Sequence, residues 1–263
     1  MREKEGEAIP NWLSTHPSPP DRIKATESAA IVTKSKGAKR DYRIDAEPYL
    51  SRLEGLVYGE DPREGFETGG QFVHPDLRFQ LDVPAGWKVQ NAKNLVVMAE
   101  PQGTAVIQLI LVPPTEGQSP EAIGRKIGSQ QGAELVEGAV ERIHGNQAFI
   151  GRYRVPTAQG TLGVSGAFIS YGGHVFQISG LTAESSYSRM AAIFNSTLRS
   201  FRELTDPHLL NVQPDRITIH RSQAGETIRS LAESAKPPIS AEELSRFNRI
   251  TPDQETTLWF PQS

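Results

Sequence analysis

The chain has 263 residues, no cysteine and a formal net charge of −3 at pH 7. The absence of cysteine excludes disulfides and thiolate metal sites, and the small net charge argues against a nucleic-acid partner. The hydrophobic fraction is 37% and the mean hydropathy is −0.43, so a core is expected together with much surface and loop. No apolar run reaches the roughly 18 residues of a membrane helix, so no transmembrane segment is expected.

Residues 1–47 are polar and rich in proline and charge. Charged residues follow Met1 without an apolar segment, so no export signal is predicted, and the chain would be cytoplasmic if expressed alone. Residues 1–47 have too little apolar surface to fold alone and are predicted to be the remnant of a larger domain and a linker. Residues 48–72 are predicted to be a connector with a short helix and a glycine-rich stretch.

Residues 73–203 are predicted to form an α+β sandwich, with one antiparallel sheet backed by two helices. Arg78–Val83 alternates with period two, and Ala105–Val112 is nearly all apolar, as in a central strand buried on both faces. Gly145-Asn146 and Gly172-Gly173 are predicted to be the two-residue turns of two hairpins.

Two helices complete the predicted sandwich. Ser119-Pro120-Glu121 is a helix start, with a capping residue, a proline and a carboxylate at the positive end of the dipole. The second helix carries an apolar stripe along one face, at Tyr187, Met190, Ala191, Phe194, Leu198 and Phe201. Such a stripe is more typical of a core than of a cofactor site.

Residues 216–263 are predicted to form a small unit in the order strand, helix, helix, strand. Arg216–His220 and Thr257–Phe260 have the composition of strands. The first helix begins after Gly225-Glu226-Thr227, and Ser240 with Glu243 forms the capping box of the second.

The residues of this chain do not supply a complete catalytic or metal site. The six histidines are never spaced at i and i+4, so there is no His-Glu-x-x-His helix to hold zinc. There is no Gly-x-Ser-x-Gly nucleophile turn. A split zinc site, built from distant residues, stays open as an alternative.

One segment carries a resemblance to a known family. Ser14-Thr15-His16-Pro17, followed by Asp21-Arg22-Ile23, resembles a segment downstream of the zinc ligands in metalloendopeptidases of the HtpX and CAAX-prenyl-protease type (metallopeptidase family forty-eight). The resemblance implies that His16 and Arg22 contact substrate or the oxyanion; the alternative is that they fix a loop. It further implies that zinc is the cofactor of the intact family and is absent from this chain.

The rest of the chain also resembles known modules. Asp61–Gly65 and Phe72–Phe79 resemble the connector of a secreted bacterial branch of that family, and residues 73–203 are similar to the PsbP/Mog1-like sandwich. Residues 216–263 resemble a degenerate LysM module, in which Thr256-Thr257-Leu258-Trp259 replaces the usual Gly-Gln-x-Leu. This likeness implies a candidate glycan-binding region at Gly225, Glu226, Thr227 and Asn248.

Two functions follow as expectations. In the first, the chain is the non-zinc part of a zinc metalloendopeptidase, inactive alone, either as a truncated gene product or docked on a separately encoded zinc-bearing protease domain. In the second, it is a non-catalytic envelope module that binds peptidoglycan or a protein partner. The family resemblance implies a periplasmic or outer-membrane-associated location.

Overall fold

The computed structural model describes residues 28–29, 46–92, 94–112, 119–129, 132–223, 225–237, 239–248, 251–253 and 258–262. The chain divides into two compact units. The first, which we call the sandwich unit, is Asp61–Pro214; the second, the small unit, combines residues before Asp61 with those from Asp215 onward. The fold is α+β, with antiparallel sheets and helices packed on them, as the sequence predicts.

The strands of the sandwich unit pair in an antiparallel manner throughout its two sheets. In chain order they are β1 Phe66–Thr68, β2 Gln71–His74, β3 Phe79–Asp82, β4 Lys88–Ala92, β5 Leu95–Ala99, β6 Ala105–Val112, β7 Glu134–Ile143, β8 Asn146–Thr157, β9 Gly160–Tyr171, β10 His174–Ala183 and β11 Arg202–Glu203. One sheet has the order β4-β5-β6-β10-β9-β8-β7, and the other has the order β1-β2-β3-β11. The single sheet expected from the sequence is therefore two sheets.

A hairpin accounts for part of this difference. The sequence predicts a glycine-rich connector up to residue 72, whereas Gly69 and Gly70 form the two-residue turn between β1 and β2. Both glycines have positive φ angles, of 57° and 74°, which a tight hairpin turn requires. Phe72 on β2 is fully buried, so this hairpin belongs to the core of the sandwich unit.

The seven-stranded sheet is covered on its two faces by different elements. The helices of the sandwich unit are α2 Pro120–Gly128, α3 Tyr187–Arg199 and the short α4 Pro207–Leu210. Helix α3 and the four-stranded sheet pack their apolar side chains against one face of the seven-stranded sheet. There, Phe194 and Leu198 of α3 pack with Ile107 and Ile178. Helix α2 packs on the other face through Ile123.

The sequence predicts Phe201 on the apolar stripe of the second helix, but Phe201 lies beyond the end of that helix, although it belongs to the core. Helix α3 ends at Arg199, and the chain then turns into β11, which pairs with β3. Phe201 is fully buried, and its ring centroid lies 5.2 Å from those of Phe79 and Phe176. This aromatic group joins the four-stranded sheet to the seven-stranded sheet.

The small unit has the predicted strand, helix, helix, strand order. Its elements are β12 Arg216–His220, α5 Ile228–Ala235, α6 Ala241–Asn248 and β13 Leu258–Gln262, with α1 Ala46–Leu50 upstream. Strands β12 and β13 pair antiparallel. Ile228, Leu231 and Leu244 form a core between the two helices.

Residues upstream of the sandwich unit complete this small unit. The Gly55 amide donates to the Ile217 carbonyl, the Ile217 amide to the Leu56 carbonyl, and the Tyr58 amide to the Asp215 carbonyl, at 2.7–2.8 Å. Residues 55–58 therefore run beside β12 as a further extended segment. The small unit is consequently assembled from two parts of the chain that the whole sandwich unit separates.

Candidate functional site

The first turn of α5 lies at the centre of the candidate site. Thr227 caps the helix, because the Ser230 amide donates to the Thr227 hydroxyl and the Thr227 amide donates to the Ser230 hydroxyl, at 3.2 and 3.0 Å. The predicted helix start is confirmed, and this reciprocal pair satisfies backbone donors that a helix terminus otherwise leaves free.

The turn before α5 is closed by Glu226. Its Oε2 lies 2.8 Å from Nε2 of His220 and accepts a 2.9 Å hydrogen bond from the Gln223 amide. The hydrogen bond from His220, followed by that of the Gln223 amide, lowers the pKa of Glu226. Since this pKa is depressed on folding, the stabilisation is present above the ordinary glutamate pKa and is lost as the pH falls through the lowered value.

Gly225 sets the backbone of the same turn. Its φ is +84°, a left-handed conformation that side chains other than glycine rarely adopt. A Cβ placed on Gly225 would meet no atom within 4 Å, so the residue faces open space rather than a packed neighbour. Glycine is required here by the conformation alone, and the backbone stays accessible.

The Pro252–Asp253 segment, which follows α6, also contacts the first turn of α5. The Arg229 amide donates to the Pro252 carbonyl at 3.0 Å, and Arg229 Nε donates to Asp253 Oδ1 at 2.9 Å. The hydrogen bond from Arg229 lowers the pKa of Asp253. The first turn of α5 thus contacts both the turn that Glu226 closes and the Pro252–Asp253 segment. The surface there includes the side chains of Arg229 and Asp253, which are 48% and 73% exposed, together with backbone groups and small polar side chains.

The sequence-predicted site residues fall into three groups. Gly225, Glu226 and Thr227 form one continuous turn, whereas Asn248 ends α6 and donates its side-chain amide to the Leu244 carbonyl at 2.9 Å. His16 and Arg22 lie outside the described residues.

The described part of the chain has neither a metal-binding cluster nor a helix that could span a membrane. There, no group of three or more histidine, aspartate or glutamate side chains is placed to hold a metal ion, so these residues do not fit zinc. Among the same residues, no helix combines the length and the apolar character needed to cross a bilayer.

The histidines of the sandwich unit have surface and structural positions. His144 and His174 are exposed; His144 lies in one hairpin turn and His174 directly follows another. His74 is half-buried, its Nδ1 accepts a hydrogen bond from the Leu77 amide at 3.2 Å, and burial lowers its pKa. A neutral ring that accepts this bond stabilises the turn after β2.

Sequence reasoning missed an aromatic pair on the small unit. The rings of Tyr58 and Phe247 meet edge to face, with centroids 5.6 Å apart and an interplanar angle of 74°. They come from the extended segment beside β12 and from the last turn of α6. Their separation along the chain left no local pattern that could have revealed the contact.

A second missed feature is an ionic cluster in the sandwich unit. Glu184 Oε1 accepts hydrogen bonds from Arg152 Nη2 at 2.7 Å and from Arg154 Nε at 3.0 Å. The Arg152 guanidinium lies over the Tyr187 ring, 4.5 Å from its centroid, and the Tyr187 hydroxyl hydrogen-bonds with buried Ser165. The cluster ties the beginning of α3 to β8 and β9, so we assign it to stability.

Comparison with known proteins gives structural likeness only. No protein-family model matches the chain, and no curated protein matches it. The chain is similar in structure to cyanobacterial PsbP (CyanoP) from Synechocystis, with 16% identity, a TM-score of 0.43, and coverage of 52% of this chain and 98% of that one. It is also similar to LpqN of Mycobacterium tuberculosis, described as involved in cell envelope biogenesis, with 15% identity, a TM-score of 0.38, and coverage of 48% and 83%.

Proposed function

We propose that the chain is a non-catalytic module of the bacterial cell envelope that binds peptidoglycan through its small unit. The observation that carries the proposal is the surface at the first turn of α5, where the turn closed by Glu226 and the Pro252–Asp253 segment adjoin one capped helix start. The strand, helix, helix, strand order, which is that of the LysM module that the sequence resembles, supports it.

The chemistry of this surface suits a neutral, amide-bearing sugar polymer. Polymers of N-acetylglucosamine present amide and hydroxyl groups, which pair with exposed backbone groups and small polar side chains. The charged side chains Glu226, Arg229 and Asp253 are already paired with protein groups. Attraction of a charged ligand is therefore not the basis of recognition, and we expect binding to depend weakly on salt.

The test is retention of the full chain on insoluble peptidoglycan. Gly225→Val is expected to reduce retention about tenfold, because a side chain at φ +84° costs roughly 1–2 kcal/mol and displaces the turn. Gly86→Val is the matched control: Gly86 has a φ of +79° and open space around it, but lies in the sandwich unit, so retention should stay at the parent level. A parent chain that is not retained, or equal losses in both variants, contradicts the proposal.

A second proposal concerns residues 13–23 and rests on their sequence. Its resemblance to the metalloendopeptidase segment supports docking of this chain on a separate zinc-bearing protease domain in the periplasm or at the outer membrane. We expect the full chain to co-purify with a protein that contains His-Glu-x-x-His, and the double substitution His16→Ala with Arg22→Ala to abolish this. Recovery of no such partner from the native envelope contradicts it.

A further inference from the structure

Strand β7 is one edge of the seven-stranded sheet in the sandwich unit. It has ten residues, Glu134–Ile143, and β8 is the only described strand that pairs with it. The opposite edge strand, β4, has five residues, and the Asn91 side chain on it donates hydrogen bonds to the Glu64 and Gly65 carbonyls. Among the described residues, no comparable contact covers the backbone on the outer side of β7. A long open edge of this kind is a template for the addition of another strand.

The hairpin turn after β7 fixes which of its backbone groups point outward. His144-Gly145 is a two-residue turn, so Ile143 and Asn146, which flank it, exchange hydrogen bonds. Along an antiparallel ladder, residues that bond to the partner strand alternate with residues that bond away from it. The amides and carbonyls that point away from β8 are therefore those of Gly138, Val140 and Arg142.

The outer edge is regular and exposed over most of its length. A bulge between Leu135 and Glu137 distorts the beginning of β7, but residues 137–143 pair in register with β8 and contain no proline. All residues from Glu137 to Val140 are exposed. Val140, at 62%, is the most exposed large hydrophobic residue described in the sandwich unit. An apolar side chain on an open edge favours association through that edge.

The charges on β7 restrict how a second copy of the chain can pair with it. Opposite residues of a continuous antiparallel sheet point to the same face, so two copies related by a twofold axis pair about one central residue. Centring on Ala139 places Glu137 opposite Glu141, and centring on Glu141 or Arg142 places that residue opposite its own counterpart. Each of these arrangements sets like charges against each other, which is destabilising. Centring on Gly138 brings the irregular segment at the bulge into the pairing.

Centring on Val140 avoids these conflicts and uses the whole regular segment 137–143. Val140 then packs against the Val140 of the second copy, and Gly138 lies opposite Arg142, where the glycine leaves room for the long side chain. The outward amides and carbonyls of these three residues meet their counterparts in the second copy. The edge is therefore complementary to itself in one register.

We propose that two copies of this chain associate through β7, paired as antiparallel edge strands with Val140 opposite Val140. The remaining approach of like charges, between Glu137 and Glu141 on the diagonal, is weakened because Arg199 Nη2 donates to Glu141 Oε1 at 2.9 Å. One strand pair is a small interface, so the association is weak and reversible. It involves the sandwich unit alone and does not depend on the proposed binding of peptidoglycan.

Sedimentation-velocity centrifugation of the full chain, from micromolar to millimolar concentration, measures the association. The parent chain is expected to dimerise as its concentration rises. Val140→Lys is expected to raise the dissociation constant at least about tenfold, because two ammonium groups then meet at the centre of the pairing. Ile193→Lys is the matched control, since Ile193 is 38% exposed on α3 of the same unit, and it should dimerise like the parent chain.

Single cysteines test the register, because the chain has no cysteine of its own. Val140→Cys is expected to form an interchain disulfide on mild oxidation, since Cα atoms of directly opposite residues lie about 5.5 Å apart, within the range that a disulfide spans. Glu137→Cys is the matched control: the position is exposed on the same strand, but its counterpart would lie roughly 20 Å away along the partner strand.

Three results would overturn the proposal. A parent chain that stays monomeric at every concentration would assign the open edge to an extended segment of another protein. Equal weakening by Val140→Lys and Ile193→Lys would place the contact between copies elsewhere. Equal crosslinking of Val140→Cys and Glu137→Cys would show random collision rather than one register. Retention on peptidoglycan is measured separately, so each of these failures leaves the proposed function standing.

Discussion

Replacing Phe79 by alanine is expected to lower the free energy of unfolding of the sandwich unit by about 3–5 kcal/mol. Phe79 is fully buried on β3, and its ring centroid lies 5.1 Å from that of Phe176 on β10 and 5.2 Å from that of Phe201. It thus links the four-stranded sheet to the seven-stranded sheet. Alanine would leave a cavity between the two sheets that rigid strands cannot close.

Urea denaturation of the full chain measures this loss in the free energy of unfolding. The transition is monitored by the near-ultraviolet circular dichroism of the buried aromatic residues. The control is Ile193→Ala, because Ile193 lies on α3 of the same unit but is 38% exposed, so its loss should be about 1 kcal/mol or less. Similar losses in the two variants would show that Phe79 is not a centre of the core.

The sequence predicts the strands best where apolar residues alternate with polar ones or form a continuous run. The alternation of Arg78–Val83 reappears as β3, in which Phe79 and Leu81 are buried. The apolar run Ala105–Val112 is the interior strand β6, but it is not buried on both faces as predicted, because burial alternates along it and Leu111 is 41% exposed. These patterns are local, because the apolar or polar character of each residue predicts whether that residue is buried. The order of strands in two sheets depends on pairings between distant residues, such as β3 with β11, and no local pattern records them.

Glycine residues that supply a positive φ predict the turns, but not their exact position. The sequence predicts one turn at Gly145-Asn146, whereas the turn lies at His144-Gly145, with φ angles of 45° and 85°. Asn146 is the first residue of β8 instead. A non-glycine residue at positive φ is uncommon, although histidine and asparagine tolerate it better than most, so composition alone favoured the wrong pair.

The candidate site shows the same division between local and distant interactions. The predicted capping box of α6 is confirmed, because the Glu243 amide donates to the Ser240 hydroxyl at 3.2 Å and the Ser240 amide donates to Glu243 Oε2 at 3.1 Å. By contrast, the contact of Tyr58 with Phe247 depends on tertiary structure. A sequence pattern could identify the turn at Gly225, but not the segment that completes the unit around it.

The ionic cluster of the sandwich unit leads to the second large effect. Glu184→Gln is expected to destabilise the sandwich unit by about 2 kcal/mol, because it removes the negative charge between two guanidinium groups in a partly buried place. The side chains of Arg152 and Glu184 are only 24% and 26% exposed. Among the described residues, Arg152 Nε and Glu184 Oε2 are buried without a hydrogen-bond partner, so water can compensate little for the lost charge.

The shape of the site strengthens this expectation. Gly163 on β9 lies beneath Glu184, and a Cβ there would be 2.6 Å from Glu184 Oε2. Both arginines donate to Oε1, so the carbonyl oxygen of a glutamine can keep these hydrogen bonds and its NH2 group takes the position of Oε2 over Gly163. The expected loss therefore comes from removal of the negative charge and from a buried NH2 group at a position where the native oxygen has no partner.

A matched substitution separates this effect from that of an ordinary surface pair. Glu121 pairs with Arg125 at 2.9 Å on α2, but these side chains are 42% and 55% exposed, so Glu121→Gln should cost no more than about 1 kcal/mol. Chemical denaturation of the single variants and of Arg152→Met with Glu184→Gln gives the coupling energy. If burial makes the pair important, the double variant should be more stable than the sum of its single losses predicts. Additive losses would instead place Glu184 among the weak surface charges, and the start of α3 would owe its position to Tyr187 and the apolar core alone.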